Sequence, residues 1–203
     1  RLETRPREAI VGRTHWEAYP GSEEGGLGRL YKRAMAERVP VGLEHRYTWQ
    51  DGRDAWLDMR AYPTGDGLAV FYRDITERKR AEARRLALVE LSDRVRDIED
   101  PAELSFAAAE ILGRTLGVSR AGYGTIDTAA ETITIERDWN APGIESLAGV
   151  LRFRDYGSYI EDLKRGETAI VADAEKDPRT AATAEALKAI SAQAFINMPV
   201  TEQ

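Results

Sequence analysis

Between Val41 and Tyr72 three apolar runs alternate with polar residues, separated by tight-turn sequences, and few folds accept that pattern. Val41, Leu43, His45, Tyr47 and Trp49 share one face of the first run. Gln50-Asp51-Gly52-Arg53 then supplies the Asp-Gly pair of a short hairpin. Ala55 to Tyr62 alternates again, Pro63-Thr64-Gly65-Asp66-Gly67 is a second turn, and Leu68 to Tyr72 is a short apolar strand. A period of two broken by turns this short predicts a three-stranded antiparallel meander. Alternation defines two faces without saying which points inward. Leu43, His45, Tyr47, Trp56, Arg60, Tyr62, Phe71 and Tyr72 are therefore all interior candidates.

Residues 1–40 read as short helical pieces interrupted by Pro6, Gly12, Pro20 and Gly25-Gly26. Leu27, Leu30, Tyr31, Ala34 and Met35 recur at helical spacing, which predicts one amphipathic helix over 27–39, ended by Pro40. After the meander, Asp74 and Glu77 stand three apart as in a capping box, and Thr76 is a second capping residue. A helix is predicted from there to about Asp97. Leu88, Leu91, Val95 and Ile98 follow the 3-4-3 spacing of a coiled-coil seam. Two heptads fit equally a dimer seam and a surface helix packed on its own domain.

Asp100-Pro101 opens a further helix, which Gly117 ends, with Leu104, Ala108, Ile111 and Leu112 as its expected buried stripe. Strands are expected over 120–126, 132–137, 150–153, 169–172 and 195–200, and helices over 156–165 and 181–190. Pro199 sets an edge or an end for the last strand. Mixed strands and helices of this kind make an α+β chain.

The chain has no cysteine, which excludes disulfides, thiolate metal sites, cysteine nucleophiles, thioether-bound bilins and cysteinyl-flavin adducts. A net charge of −6 argues against a nucleic-acid partner. No apolar run approaches the ~20 residues that cross a bilayer, so membrane insertion is not expected and the cytoplasm is the expected location. With two histidines, a multi-histidine metal site is not expected. Glu23-Glu24, Glu82 and Glu99-Asp100 read as solvated residues, His15 as a packed or surface histidine rather than a haem ligand, and His45 as a strand residue with a cross-strand partner rather than a metal. The glycines between Gly21 and Gly28 lack the preceding strand that a dinucleotide-binding turn requires. No catalytic constellation is present, so the chain as given is not expected to be an enzyme.

Two stretches resemble known families. Ile10-Val11-Gly12-Arg13-Thr14-His15-Trp16, Trp56 with Tyr62-Pro63, Gly67-Leu68 and Arg73-Asp74-Ile75-Thr76-Glu77-Arg78-Lys79 resemble the C-terminal two-thirds of a PAS domain. In that family the Asp-Ile-Thr triplet couples the sensor sheet to its output helix. Gly117 to Gly124, Glu136-Arg137-Asp138-Trp139, Phe153-Arg154-Asp155-Tyr156-Gly157, Ile170-Val171-Ala172-Asp173 and Asp177-Pro178-Arg179 resemble a GAF domain. The combination is similar to the PAS–GAF region of bacterial sensor histidine kinases, particularly the HWE type.

The resemblance implies a PAS-like domain over 1–76, a signalling helix over 77–99 and a GAF-like domain over 100–203. It implies a sensory module that passes its signal through the helix to a kinase domain outside this chain, with a response regulator beyond that. A ligand-free dimerisation scaffold, and a sensor for another output such as a nucleotide cyclase, are the alternatives. Asp74, Ile75 and Thr76 are the expected coupling residues. Tyr123, Trp139, Arg152, Phe153, Arg154, Tyr156, Tyr159 and Asn197 are the expected ligand-pocket residues of the second domain. Arg152 to Ser158 reads as the most site-like tract, with two arginines facing an anion at a helix start; the plainer and favoured reading is that Asp155 caps the helix and both arginines lie on the surface. No cofactor is identified, and non-covalent flavin or haem is left open. Measured against the two families, a hairpin before Arg1 and strands after Gln203 are missing; the open edges invite pairing, so a homodimer is expected.

Overall fold

The computed structural model describes residues 5–49 and 51–200, so Gln50 of the first turn lies outside the described residues. The chain divides into two compact units, 1–83 and 84–203.

In the first unit a 3₁₀ turn (Arg7–Ala9) and helices α1 (His15–Ala18) and α2 (Gly26–Glu37) precede strands β1 (Val41–Thr48), β2 (Asp54–Pro63) and β3 (Leu68–Asp74). The strands form the expected antiparallel meander, with β2 central. The first turn closes through the Gly52 N–H on the Trp49 carbonyl (3.0 Å), with Gly52 at φ 83°. Register settles the faces. Ala55, Leu57, Met59 and Ala61 are buried, whereas Trp56, Asp58, Arg60 and Tyr62 point the other way. Residues paired in register share a face. Leu43 and Tyr72 flank Met59 and His45 lies opposite Leu57, which puts all three on the inner face. Phe71 pairs with Arg60 and is outward. The inner face carries Met59 and Ala61 against Tyr31 of α2, with Trp16, Leu27 and Leu30 closing the cluster.

A 20-residue helix, α3 (Thr76–Val95), follows the sheet, with no buried residue of its own. Of the expected seam, Leu88 is exposed, Leu91 and Val95 are half-buried, and Ile98 lies beyond the end of the helix. Helix α4 (Pro101–Leu116) starts as expected: the Asp100 carboxylate accepts the N–H groups of Ala102 and Glu103, and Gly117 ends the helix at φ 66°. Arg94 with Glu110 (2.7 Å) and Glu90 with Arg114 (2.6 Å) tie the end of α3 to α4 in antiparallel order. The expected buried stripe of α4 needs correction. Ala107, Ala109, Ile111 and Gly113 are buried, while Leu104 and Leu112 are exposed. At Gly113 the indole of Trp139 occupies the space where a side chain would be.

The remaining strands of the second unit are shorter than the alternation predicts: β4 (Arg120–Gly122), β5 (Thr125–Asp127), β6 (Thr132–Ile135), β7 (Asp138–Asn140) and β8 (Gly149–Arg152). The expected strand 120–126 is two, since β4 pairs with β7 and β5 with β6. Gly124 sits at the break, where any side chain would collide with Ile133. The expected helix 156–165 shrinks to a five-residue α5 (Ile160–Lys164), preceded by a 3₁₀ turn at Phe153–Asp155. Gly157, at φ 138° and against the Arg179 carbonyl, separates them. β9 (Ala169–Val171), α6 (Ala184–Ala189) and β10 (Phe195–Asn197) complete the unit, β9 pairing with β10. The whole is an α+β chain of antiparallel sheets and helices. One core cluster gathers Phe153, Tyr159, Ile160, Leu163 and Ala169, and a second gathers Val171, Ala174 and Leu187.

Met59 is 0% exposed at the centre of the first sheet. Met59→Ala should destabilise the first unit by about 2–5 kcal/mol, read as a lowered urea midpoint at constant slope. An unchanged midpoint would contradict the assigned face.

Candidate functional site

The segment leaving the first sheet is held by two bonds to the Trp56 backbone and one within the segment itself. The Ile75 N–H donates to the Trp56 carbonyl (2.8 Å), and the Trp56 N–H donates to the Thr76 hydroxyl (3.0 Å). The Asp74 carboxylate accepts the Thr76 N–H at 2.9 Å. Ile75 between them is buried, and its carbonyl receives the Lys79 N–H at 3.0 Å, the first helical bond. These are the residues expected from sequence, with one correction. No capping box forms between Asp74 and Glu77: the carboxylate turns to Thr76, and Glu77 pairs with Arg80 instead (2.9 Å). The bonds from Thr76 hold the Asp74 carboxyl below the usual carboxylate range.

Two partners on the sheet escaped the sequence reading. Glu44 accepts from Arg78 (2.6 Å) and Lys79 (2.8 Å), and the Lys79 ammonium stands 5.3 Å from the Trp56 ring centre. Glu44 pairs with Asp58 and Arg46 with Trp56, so Glu44 and Trp56 are diagonal neighbours on the outer face, beneath the first turn of α3. The signal was present as strand parity. Nothing in the sequence pairs Glu44 with residues 34 positions later.

A cleft of about 710 Å³ opens along β3, walled by His15, Trp16, Tyr31, Met35, Leu68 and Val70. A capping box sets α1, Thr14 and Glu17 exchanging bonds. His15 then lies 5.0 Å from the Trp16 ring and 5.1 Å from the Tyr31 ring, both edge-on. Burial lowers the pKa of His15 and raises that of Tyr31, whose hydroxyl shares a 2.6 Å bond with Tyr72. Thr14, Lys32 and Asp66 complete the lining, so the cleft is open and of mixed polarity.

Of the residues expected to line a pocket in the second unit, Phe153, Tyr156 and Tyr159 share one core cluster and the others lie elsewhere. Phe153 and Tyr159 are core, edge to face at 5.7 Å, with Phe195 4.9 Å from Tyr159. Tyr156 and Asn197 are half-buried, Trp139 covers α4, and Tyr123 and Arg152 are exposed. Arg154 is committed to Glu131 (2.5 Å) and to Glu161, and Lys164 adds a third contact at Glu131. The tract does not open a helix: α5 begins at Ile160, and Asp155 does not cap it. Burial raises the Tyr159 phenol to about 12.

The polar groups of this unit act as staples. Buried Asp138 accepts from Ser146 and from the Leu147 N–H (2.9 Å), with Arg120 3.5 Å away. Arg179 reaches Asp162 (2.6 Å), Asp177 (2.6 Å) and the Ile170 carbonyl (2.6 Å), which holds the Asp177 carboxyl at about 2. Among the described residues there is no acidic or histidine cluster able to hold a metal.

Residues 1–80 match the family model of the PAS fold. No curated protein matches the chain. Among solved structures, the chain is similar to free methionine-R-sulfoxide reductase from Neisseria meningitidis: identity 19%, 62% of this chain and 68% of that one covered, TM-score 0.46. A methyl-accepting chemotaxis protein matches at 20% identity over 57% and 74% of the two chains, TM-score 0.45. The chromophore-binding domain of the Stigmatella aurantiaca bacteriophytochrome matches at 17% identity over 84% and 62%, TM-score 0.45. No helix among the described residues is long and apolar enough to cross a membrane.

Arg154 and Lys164 depress the Glu131 carboxyl from 4.5 to about 2. A depressed carboxylate stabilises the fold fully above its unfolded pKa and loses that contribution as pH falls through the folded one. The Tm difference between wild type and Glu131→Gln should therefore be constant above about pH 5 and vanish toward pH 2, as thermal melts across that range will report.

Proposed function

We propose that this chain is the PAS–GAF sensor region of a bacterial histidine kinase of the HWE type. In this reading, a ligand or environmental change in the first unit shifts α3, and a kinase domain outside the chain reads the shift and phosphorylates a response regulator. The observation that carries the proposal is the exit from the sheet. Ile75 and Thr76 engage both backbone groups of Trp56, Asp74 holds the Thr76 amide, and the segment opens directly into a 20-residue helix. A helix attached in this way follows the strand it is bonded to. The match of residues 1–80 to the PAS fold supports a sensory role for that unit. The GAF assignment rests on the sequence motifs, and a nucleotide cyclase would be an equally suitable reader of α3.

Coupling requires an element with two arrangements that both ends can bias. In the full-length kinase, Asp74→Ala and Thr76→Val should leave basal autophosphorylation in place and abolish its response to signal. Unchanged autophosphorylation and response in both variants would contradict the reading.

A second reading, self-association, has its own observation. Leu86, Leu88 and Val89 of α3, and Leu112 and Leu116 of α4, are all more than half exposed. Two copies joined along these faces would remove that apolar surface from water. Sedimentation equilibrium should give a dimer that Leu88→Glu with Leu112→Glu dissociates. A wild-type monomer would dismiss it.

A further inference from the structure

The sequence holds two Asp-Gly pairs, Asp51-Gly52 and Asp66-Gly67, one at each turn of the meander. Glycine has no side chain to shield its amide, so its nitrogen can reach the preceding carboxyl and close a five-membered imide. Both aspartates are exposed, and exposure does not separate the two sites. Their hydrogen bonds do.

At the first turn both reacting groups are engaged. The Arg53 guanidinium and N–H donate to the two oxygens of Asp51 at 2.8 and 3.1 Å. These bonds hold the Asp51 carboxyl below the usual carboxylate range. The guanidinium is itself set over the Trp49 ring, 5.6 Å from its centre. The N–H of Gly52 donates to the Trp49 carbonyl at 3.0 Å. An ionised carboxylate is a poor electrophile, and an amide committed to a carbonyl must break that bond before its nitrogen can attack.

At the second turn neither group is engaged. Among the described residues no hydrogen bond or ion pair reaches the Asp66 carboxylate, and the Gly67 N–H has no acceptor. The turn is braced around them: the Thr64 N–H donates to the Gly67 carbonyl (2.8 Å), and Arg38 to the Gly65 carbonyl (3.1 Å).

We propose that Asp66-Gly67 is a site of spontaneous aspartate isomerisation, and that Arg53 protects Asp51-Gly52 from the same reaction. The Gly67 nitrogen bonds to the side-chain carboxyl carbon of Asp66, and its proton leaves with the carboxyl hydroxyl as water. Water then adds to the main-chain carbonyl carbon of Asp66, the bond from that carbon to the Gly67 nitrogen breaks, and the nitrogen regains a proton. The chain now runs through the Asp66 side chain, and the former main-chain carbonyl is a free carboxylate. Mass and charge are conserved, and no co-reactant beyond water is used. The backbone gains one carbon just before Leu68, which pairs with Pro63 and packs on the cluster of Tyr31, Met59 and Ala61. The added length strains β3 where it joins the core. The free carboxylate is the group that an isoaspartate carboxyl methyltransferase esterifies, so the altered chain becomes a substrate for a repair enzyme of that class. None of this depends on what the chain senses.

The chain is aged for several weeks in warm, mildly acidic buffer, digested, and mapped by mass spectrometry with electron-transfer fragmentation, which distinguishes the two linkages. Isoaspartate should accumulate at Asp66 several-fold faster than at Asp51. Arg53→Ala should bring Asp51 up toward the Asp66 rate. Asp66→Glu, whose longer side chain closes a larger ring slowly, should remove the product from its peptide. In urea, where the bonds of the fold are gone, the two sites should react alike. Equal rates in the native chain, or a faster reaction at Asp51, overturn the proposal. A difference that survives in urea overturns it too, because local sequence rather than the fold would then set the rates. Asp51 reacting as slowly in Arg53→Ala as in wild type defeats the protective role of Arg53.

Discussion

The first unit depends on the backbone of Trp56. Strand β2 is central, so most of its N–H and C=O groups are used by neighbours on both sides. At Trp56 the neighbour is no longer a strand but the turn that becomes α3, which accepts one bond through the Thr76 hydroxyl and donates one through the Ile75 amide. A side-chain hydroxyl thus replaces a strand carbonyl at the moment the chain changes periodicity from two to 3.6. The substitution lets the ladder end without an unpaired buried amide, a cost that would otherwise fall on the most buried strand. Asp74 fixes the turn by occupying the Thr76 amide, and buried Ile75 anchors it.

The outer face adds electrostatics to that covalent and hydrogen-bonded continuity. Glu44 is about one-third exposed and its cationic partners are more so or similar, so each pair alone is worth little. Their value lies in geometry. Two cations one residue apart converge on one carboxylate, and one of them also covers the Trp56 ring, which fixes how the helix leaves the sheet. The second unit is held differently. Its strands are three or four residues long, too short for ladder bonds alone, and long-range side chains supply the missing restraint: Arg120 reaches the Asn140 side chain and the carbonyls of Glu145 and Ile190, and Arg179 ties α5 to β9.

Much of the first unit was legible because period-two alternation and Asp-Gly turns are local properties. The meander, the amphipathic α2 and the exit triplet all followed from neighbours within a few residues. The choice of inner face did not, since both faces of β2 carry large side chains and only register against α2 distinguishes Met59 from Trp56. In the second unit the reading placed most elements but misjudged their surroundings. Hydrophobicity marks Leu104, Ala108, Ile111 and Leu112 as the stripe of α4, but only Ile111 of the larger ones is buried, and at Gly113 the Trp139 indole leaves no room for a side chain. Arg154 looked like an anion site because its partners, Glu131 and Glu161, lie 23 and seven residues away. Spacing cannot reveal a staple whose two ends are joined only by the fold.

The claim that the exit turn and the sheet form one cooperative unit can be measured without any variant. Native-state hydrogen exchange under increasing denaturant reports the opening free energy of each amide. The amides of Trp56, Ile75 and Thr76 should open together with those of Leu57 and Met59. If Ile75 and Thr76 instead exchange through a local opening well below that of β2, the helix merely frays from the sheet, and the coupling described here is contradicted.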